Sequence, residues 1–176
     1  MDTSFFQYMQ QLELMAFFSG YPLIYAVVNF ATGNQHDKRN FWGRSAALLP
    51  VSYALVGTLY LGLQLKNLFT DPPSVESIQF STQLTWLVIW ALLSITFWIP
   101  ALRRKPVLSL LHSLVFFFSL LRDLFLQFIS SSADENIIRN DMKIYTDSLL
   151  LNLGSIGFII LLCFIYSSCK KRLVSS

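Results

Sequence analysis

The chain carries few charged residues: only 13% of its 176 residues are Asp, Glu, Lys or Arg, whereas an ordinary soluble domain carries roughly a quarter. Because 54% of the residues are hydrophobic, this scarcity of charge excludes a typical soluble protein. A helix needs about 20 apolar residues to cross a bilayer. Five such helices use most of the chain, so the sequence predicts one transmembrane domain, residues 1–176, without a separate soluble module.

Cysteine is scarce as well, and catalytic motifs are absent. Cys163 and Cys169 lack the CxxC spacing of redox and metal sites. No HExxH, GxSxG, Walker or GxGxxG motif is present, so hydrolases, ATPases and dinucleotide enzymes have no sequence support. His112 is the only histidine within an apolar run, whereas a transmembrane b-type haem usually needs two axial ligands. We therefore predict no cofactor and no metal, with a haem shared between chains left open.

The charge that is present alternates with the apolar runs. Basic residues follow the first, third and last runs, whereas the segments after the second and fourth runs are acidic or near neutral. Cytoplasmic loops are enriched in Lys and Arg. The pattern predicts an all-α, multi-pass helix bundle in the plasma or inner membrane, with the N-terminus outside and the C-terminus cytoplasmic. The five helices are expected at approximately 12–31, 45–65, 78–102, 106–129 and 148–168.

Several features of these helices follow from single residues. The first is expected to begin early as an uncleaved segment and to kink at Pro22. The third is expected to be the longest uninterrupted helix, and 130–147 to be a solvated loop. The basic residues lie at helix ends rather than along one exposed face, so the net charge of +3 does not indicate nucleic-acid binding.

The fourth helix is the only one interrupted by charge, at Arg122 and Asp123. If the helix enters the hydrocarbon core at Pro106, its rise places Arg122 about 24 Å into a core that is roughly 30 Å thick. It can therefore reach the outer interface. We predict a structural ion pair between Arg122 and an outer carboxylate, such as Asp134 or Asp147.

His112, Ser119 and Asp123 fall on one face of the same helix. A polar stripe with two titratable groups is typical of a proton or solute path, although about 16 Å separates His112 from Asp123. The alternative is a helix that turns its polar side toward the bundle. In that case a neighbour such as Tyr25 or Thr96 would satisfy His112.

Small and polar residues on other helices predict close helix packing or a polar face. Tyr21, Tyr25 and Asn29 recur every four residues, and glycines interrupt the second and fifth helices. The full set is Tyr21, Tyr25, Asn29, Gly57, Gly62, Asn152, Gly154 and Gly157.

These observations favour a membrane protein that acts by association, as an accessory, assembly or scaffold subunit. Its expected partners are membrane lipid and other membrane subunits or a second copy of itself, but no nucleic acid. The alternative is a small-solute or proton transporter that uses the stripe of the fourth helix. A membrane-embedded enzyme acting on lipid is a third alternative, and the sequence offers no paired acid and base for it.

Overall fold

The computed structural model describes residues 3–32, 41–70, 82–129 and 135–174, and every regular element within these ranges is a helix. Seven α-helices are present in them, with a 3₁₀ helix, Ser94–Trp98, between the fourth and fifth. In chain order they are α1 (Thr3–Phe18), α2 (Tyr21–Thr32), α3 (Phe41–Thr70), α4 (Thr82–Leu93), α5 (Pro100–Arg103), α6 (Pro106–Ile129) and α7 (Glu135–Val174).

The prediction of an all-α fold is confirmed for the described residues, and their length and composition are consistent with a membrane protein. Three helical segments are long and apolar enough to cross a membrane: Gln11–Thr32, Ala46–Asn67 and Met142–Tyr166. We call the first of these span 1; it contains the end of α1 and all of α2. Two shorter apolar segments, Thr85–Trp98 and Pro106–Arg122, accompany them among the described residues.

Span 1 is broken between α1 and α2, at Ser19 and Gly20. The break lies just before Pro22, whose ring has no N–H and would clash with the carbonyl four residues earlier in a continuous helix. The backbone N–H of Ser19 still donates to the Met15 carbonyl at 3.0 Å, and the Ser19 hydroxyl donates to the same carbonyl at 2.6 Å. The disruption expected at Pro22 therefore lies at Ser19 and Gly20, which interrupt the helix for two residues, and α1 begins at Thr3, as early as the sequence suggested.

The third predicted helix is not continuous, contrary to expectation. After α4 the backbone tightens into the 3₁₀ helix and becomes extended at Ile99, with φ −68° and ψ 126°. Ile99 precedes Pro100, and the residue before a proline is disfavoured in the α conformation. Ser94 and Thr96 also donate side-chain hydrogen bonds to carbonyls three residues earlier, and such bonds compete with regular helix.

The predicted solvated loop at 130–147 is wrong for residues 135–147, because α7 begins at Glu135 and runs for 40 residues; residues 130–134 lie outside the described part of the chain. At 1.5 Å per residue this helix is about 60 Å long. Acidic residues at its start are favourable near a helix N-terminus. Ile138, Met142, Tyr145 and Leu149 recur every three or four residues, which is a helical period that the charged residues between them obscured.

Span 1 packs antiparallel to α3 and to α6. Moving along span 1 from Glu13 to Tyr21, the contacts on α3 move back from Gln64 to Tyr53. Contacts with α6 likewise move back along the chain, from Phe116 opposite Phe18 to Ser109 opposite Tyr21. The core between the three segments is mostly aromatic, and its largest fully buried side chains are Tyr21, Tyr53, Tyr60, Phe18 and Phe116.

Candidate functional site: a buried histidine in an aromatic cage

His112 of α6 lies in the core, with only 8% of its surface exposed. Its ring stacks on Trp90 of α4, with centroids 4.8 Å apart and planes 7° from parallel. The edges of Tyr53 and Phe97 face it at 5.6 and 5.8 Å, and Phe116 completes the cage at 6.1 Å. We call these five residues the His112 cluster. Four elements contribute to it: α3, α4, the 3₁₀ helix and α6.

One nitrogen of His112 is paired and the other is not. Nδ1 lies 2.8 Å from the Tyr53 hydroxyl, and the tautomer decides which atom donates. Nε2 is buried and has no hydrogen-bond partner among the described residues. A buried polar atom without a partner costs about 1–3 kcal/mol. Nε2 is therefore the polar atom of this cluster that is left open to a further group.

The backbone at His112 is held separately from its ring. The indole N–H of Trp90 donates to the His112 carbonyl at 3.1 Å. The same tryptophan therefore fixes both the ring, by stacking, and the main chain, by a hydrogen bond. The expectation that Tyr25 or Thr96 would satisfy His112 is not met: Tyr25 packs near Tyr21, and Thr96 donates to the Leu93 carbonyl.

A second buried hydrogen bond lies on the same helix. The Tyr21 hydroxyl is 2.7 Å from Ser109 Oγ, and Ser109 donates to the Pro106 carbonyl at 2.7 Å. Tyr21 therefore donates to Ser109. The rings of Tyr21 and Tyr53 are 4.4 Å apart, so this bond adjoins the His112 cluster.

The rest of the predicted stripe on α6 has a different environment from His112. Ser119 donates to the Val115 carbonyl within its own helix, at 2.9 Å. The side chain of Asp123 lies outside the described part of the structure. Arg122 is exposed, and so is Asp147, whereas Asp134 lies outside the described residues. The ion pair predicted for Arg122 therefore stays a prediction.

The break in span 1 forms a second polar site, against α7. The backbone N–H of Gly20 donates to Ser148 Oγ at 2.8 Å. The Asn152 amide donates to the carbonyls of Phe17 and Ser148, each at 2.9 Å. Side chains of α7 thus satisfy backbone groups that the break releases, as non-helical backbone within a membrane requires. The Oδ1 atom of Asn152 is buried and has no partner among the described residues.

The remaining predicted packing residues divide into two groups. Gly57 is buried, and a Cβ at this position would collide with the Ser94 hydroxyl, so α3 and the 3₁₀ helix approach closely there. Gly62, Gly154 and Gly157 have no described atom within 4 Å of a Cβ position, so they do not pack within this part of the chain. Tyr21 and Tyr25 are buried, but Asn29 of the same predicted face is exposed.

Sequence reasoning missed two features of the interior. Tyr53, the partner of His112, has no polar neighbour in sequence that distinguishes it from other aromatic residues. Glu13 was not singled out, yet it is half-buried within span 1, and Gln64 of α3 donates to it at 3.4 Å. An ionisable residue in a membrane span is a site candidate by default, and this signal was available.

Among the described residues, no three His, Cys, Asp or Glu side chains lie close enough together to hold a metal ion. Cys163 and Cys169 are free and exposed. Comparison of the chain with protein-family models, with curated proteins and with solved structures finds no match in any of the three.

Proposed function

We propose that the chain crosses the plasma or inner membrane five times, with its N-terminus outside. The geometry supports this because α3 and α6 are both antiparallel to span 1 and therefore run in the same direction. The segment from α4 to α5 must then return the chain across the bundle. The rings of Phe117 and Tyr145 contact each other, with centroids 6.3 Å apart. Phe117 precedes the end of α6 by about as many residues as Tyr145 follows the start of α7. These two helices therefore form a hairpin.

Accessibility labelling tests this topology. In a variant with both native cysteines replaced by serine, Asp2→Cys should react with a membrane-impermeant maleimide in intact cells. Ser175→Cys should react only after permeabilisation, because the basic cluster that precedes it stays in the cytoplasm. For each variant, labelling after permeabilisation is the control that shows the cysteine can react. Labelling of both ends from the same side would contradict an odd number of crossings.

We further propose that the protein acts by association, as an accessory or assembly subunit that binds another membrane protein through α7. The observation that carries this proposal is the exposure of all six residues from Leu161 to Tyr166, on every side of the helix. Within an apolar stretch of 18 residues in each span, 28% of the residues are buried in α7, compared with 56% in span 1 and 50% in α3. The described part of the chain leaves this stretch of α7 to lipid or to another protein.

Charge favours a heterologous partner over a second copy. Lys170, Lys171 and Arg172 directly follow the exposed stretch of α7. Two parallel copies packed along α7 would bring these cations together, and like charges at close range repel. A partner helix flanked by acidic residues on the cytoplasmic side has the complementary charge.

Site-specific photocrosslinking in native membranes tests the association. A crosslinking amino acid at Leu161 or Phe164 of α7 should give the same heterologous product, and charge reversal of Lys170, Lys171 and Arg172 to Glu should reduce it. Leu111 and Phe118, exposed on α6, are the matched control positions and should give no such product. Crosslinks to lipid alone, or to a second copy of the chain, would argue against the proposed partner.

A proton or small-solute transporter is the second candidate function. The observation that favours it is the buried, unpartnered Nε2 of His112. Discontinuous helices near the middle of a bundle are typical of transporters, and both span 1 and the segment after α4 are discontinuous.

A further inference from the structure

We propose that protons cross the bundle between span 1, α3 and α6, and that the stacked rings of Phe18 and Phe116 form the barrier of this path. The inference rests on the second candidate function. It places the path in the bundle interior rather than along the stripe of α6. It also assigns roles to Glu13 and Phe18, which the sequence did not single out.

Polar groups occupy this interior at two levels. At one level the Gln64 amide donates to the Glu13 carboxylate at 3.4 Å, and Tyr60 lies one helical turn from Gln64 with 1% of its surface exposed. We call these three residues the Glu13 cluster. The other level is the His112 cluster with the adjoining hydrogen bond between Tyr21 and Ser109. About 12 Å of helical rise separates Glu13 from Tyr21 along span 1.

Phe18 lies between the two levels. Its ring is fully buried, and its centroid is 5.6 Å from that of Tyr60 and 5.7 Å from that of Tyr53. It stacks on Phe116 of α6 at 4.8 Å. An apolar constriction of this kind excludes water and so interrupts a chain of hydrogen bonds. In the arrangement observed, these two rings close the path between the Glu13 carboxylate and the His112 imidazole.

The backbone next to Phe18 offers a place for movement. Span 1 is interrupted at Ser19 and Gly20, directly after Phe18, where the Gly20 N–H and the Phe17 carbonyl bond to side chains of α7. A change in the dihedral angles of these two residues would turn Phe18 relative to α2, and it would require the hydrogen bond from Gly20 to Ser148 to open. Hinges are typically a few residues at element ends.

The chemistry of the two clusters fits a proton better than a larger solute. The Glu13 carboxylate and the His112 imidazole each gain and lose a proton, and hydroxyls and water can connect them. A proton that binds to Nε2 of neutral His112, with Nδ1–H directed to the Tyr53 hydroxyl, gives an imidazolium. Loss of the proton from Nε2 to water restores the neutral ring. Among the side chains that the structure describes, the other buried titratable groups are the phenols of Tyr21, Tyr25, Tyr53 and Tyr60.

Proteoliposomes with an internal pH indicator and a potassium diffusion potential test the proposal. Replacing Phe18 with alanine should raise proton flux at least about tenfold over the wild type, because the constriction admits water. Adding Glu13→Gln, or the paired change Tyr53→Phe and His112→Phe, should return the flux of Phe18→Ala to that of empty liposomes. The matched control is Phe118→Ala, an exposed aromatic residue on α6, which should match the wild type. Phe18→Leu serves if the alanine variant does not fold, with a smaller increase expected.

The outcomes separate the barrier from the function. If the wild type conducts protons and neither Phe18→Ala nor Phe18→Leu changes the flux, the proposed barrier is overturned but the transport function is not. No flux from any variant would overturn both the barrier and the transporter. Loss of trapped carboxyfluorescein from Phe18→Ala vesicles would also overturn the proposal, because it would indicate a general leak rather than a proton path.

Discussion

Replacing Gly20 with alanine is expected to lower the free energy of unfolding by about 3 kcal/mol, at the upper end of the usual cost of overpacking. A Cβ at this position would lie 2.6 Å from the Leu149 nitrogen and 2.7 Å from the Ser148 carbonyl carbon. Both atoms belong to the α7 backbone, so no side chain can rotate away. The break in span 1 would have to separate from α7, and the hydrogen bond from Gly20 to Ser148 would be lost.

Thermal unfolding in a mild detergent, followed by tryptophan fluorescence, measures this effect. For a chain of this size, 3 kcal/mol corresponds to a decrease in Tm of roughly 10 °C. Gly62→Ala is the matched control: Gly62 lies inside α3 with no described atom near a Cβ position, and alanine is favoured over glycine in a helix by about 0.5–1 kcal/mol. Equal Tm values for the two variants would contradict the close approach of α7 to the break.

The hydrogen bond between Tyr53 and His112 is expected to show strong coupling in a double-mutant cycle. Tyr53→Phe leaves Nδ1 of His112 buried without a partner, and His112→Phe does the same to the Tyr53 hydroxyl, so each change should cost about 1–3 kcal/mol. The double variant should be close to the wild type in stability. It removes both polar partners, keeps the aromatic packing and also removes the unpartnered Nε2.

Unfolding of the four proteins by denaturing detergent under identical conditions gives the coupling free energy. A coupling of about 1–3 kcal/mol is expected for residues in direct contact. The wild type and the double variant, compared in the proton-flux assay, then separate stability from function. Additive costs of the two single changes would contradict the hydrogen bond. A stable double variant without proton flux would show that the pair is kept for function rather than for folding.

The sequence predicted the elements whose signal is local. Apolar runs of sufficient length gave span 1, α3 and the apolar part of α7, since crossing a membrane depends on length and composition alone. Pro22 and Pro100 each disturb a helix close to the place where the structure breaks. The onset of α7 was missed because the polar residues from Glu135 to Asp147 were taken as a solvated loop, although apolar residues recur among them at helical spacing.

The sequence by itself determined that this is a helical membrane protein with cationic segments between its apolar runs, because hydropathy and charge act residue by residue. Only the tertiary structure decided which polar residues meet. Tyr53 and His112 are 59 positions apart, and Gly20 and Ser148 are 128 apart. Such pairs depend on how the helices pack against one another. Helical periodicity describes the faces of one helix at a time, so it placed His112 on a stripe with Ser119 and Asp123 but gave no sign of the aromatic cage around it.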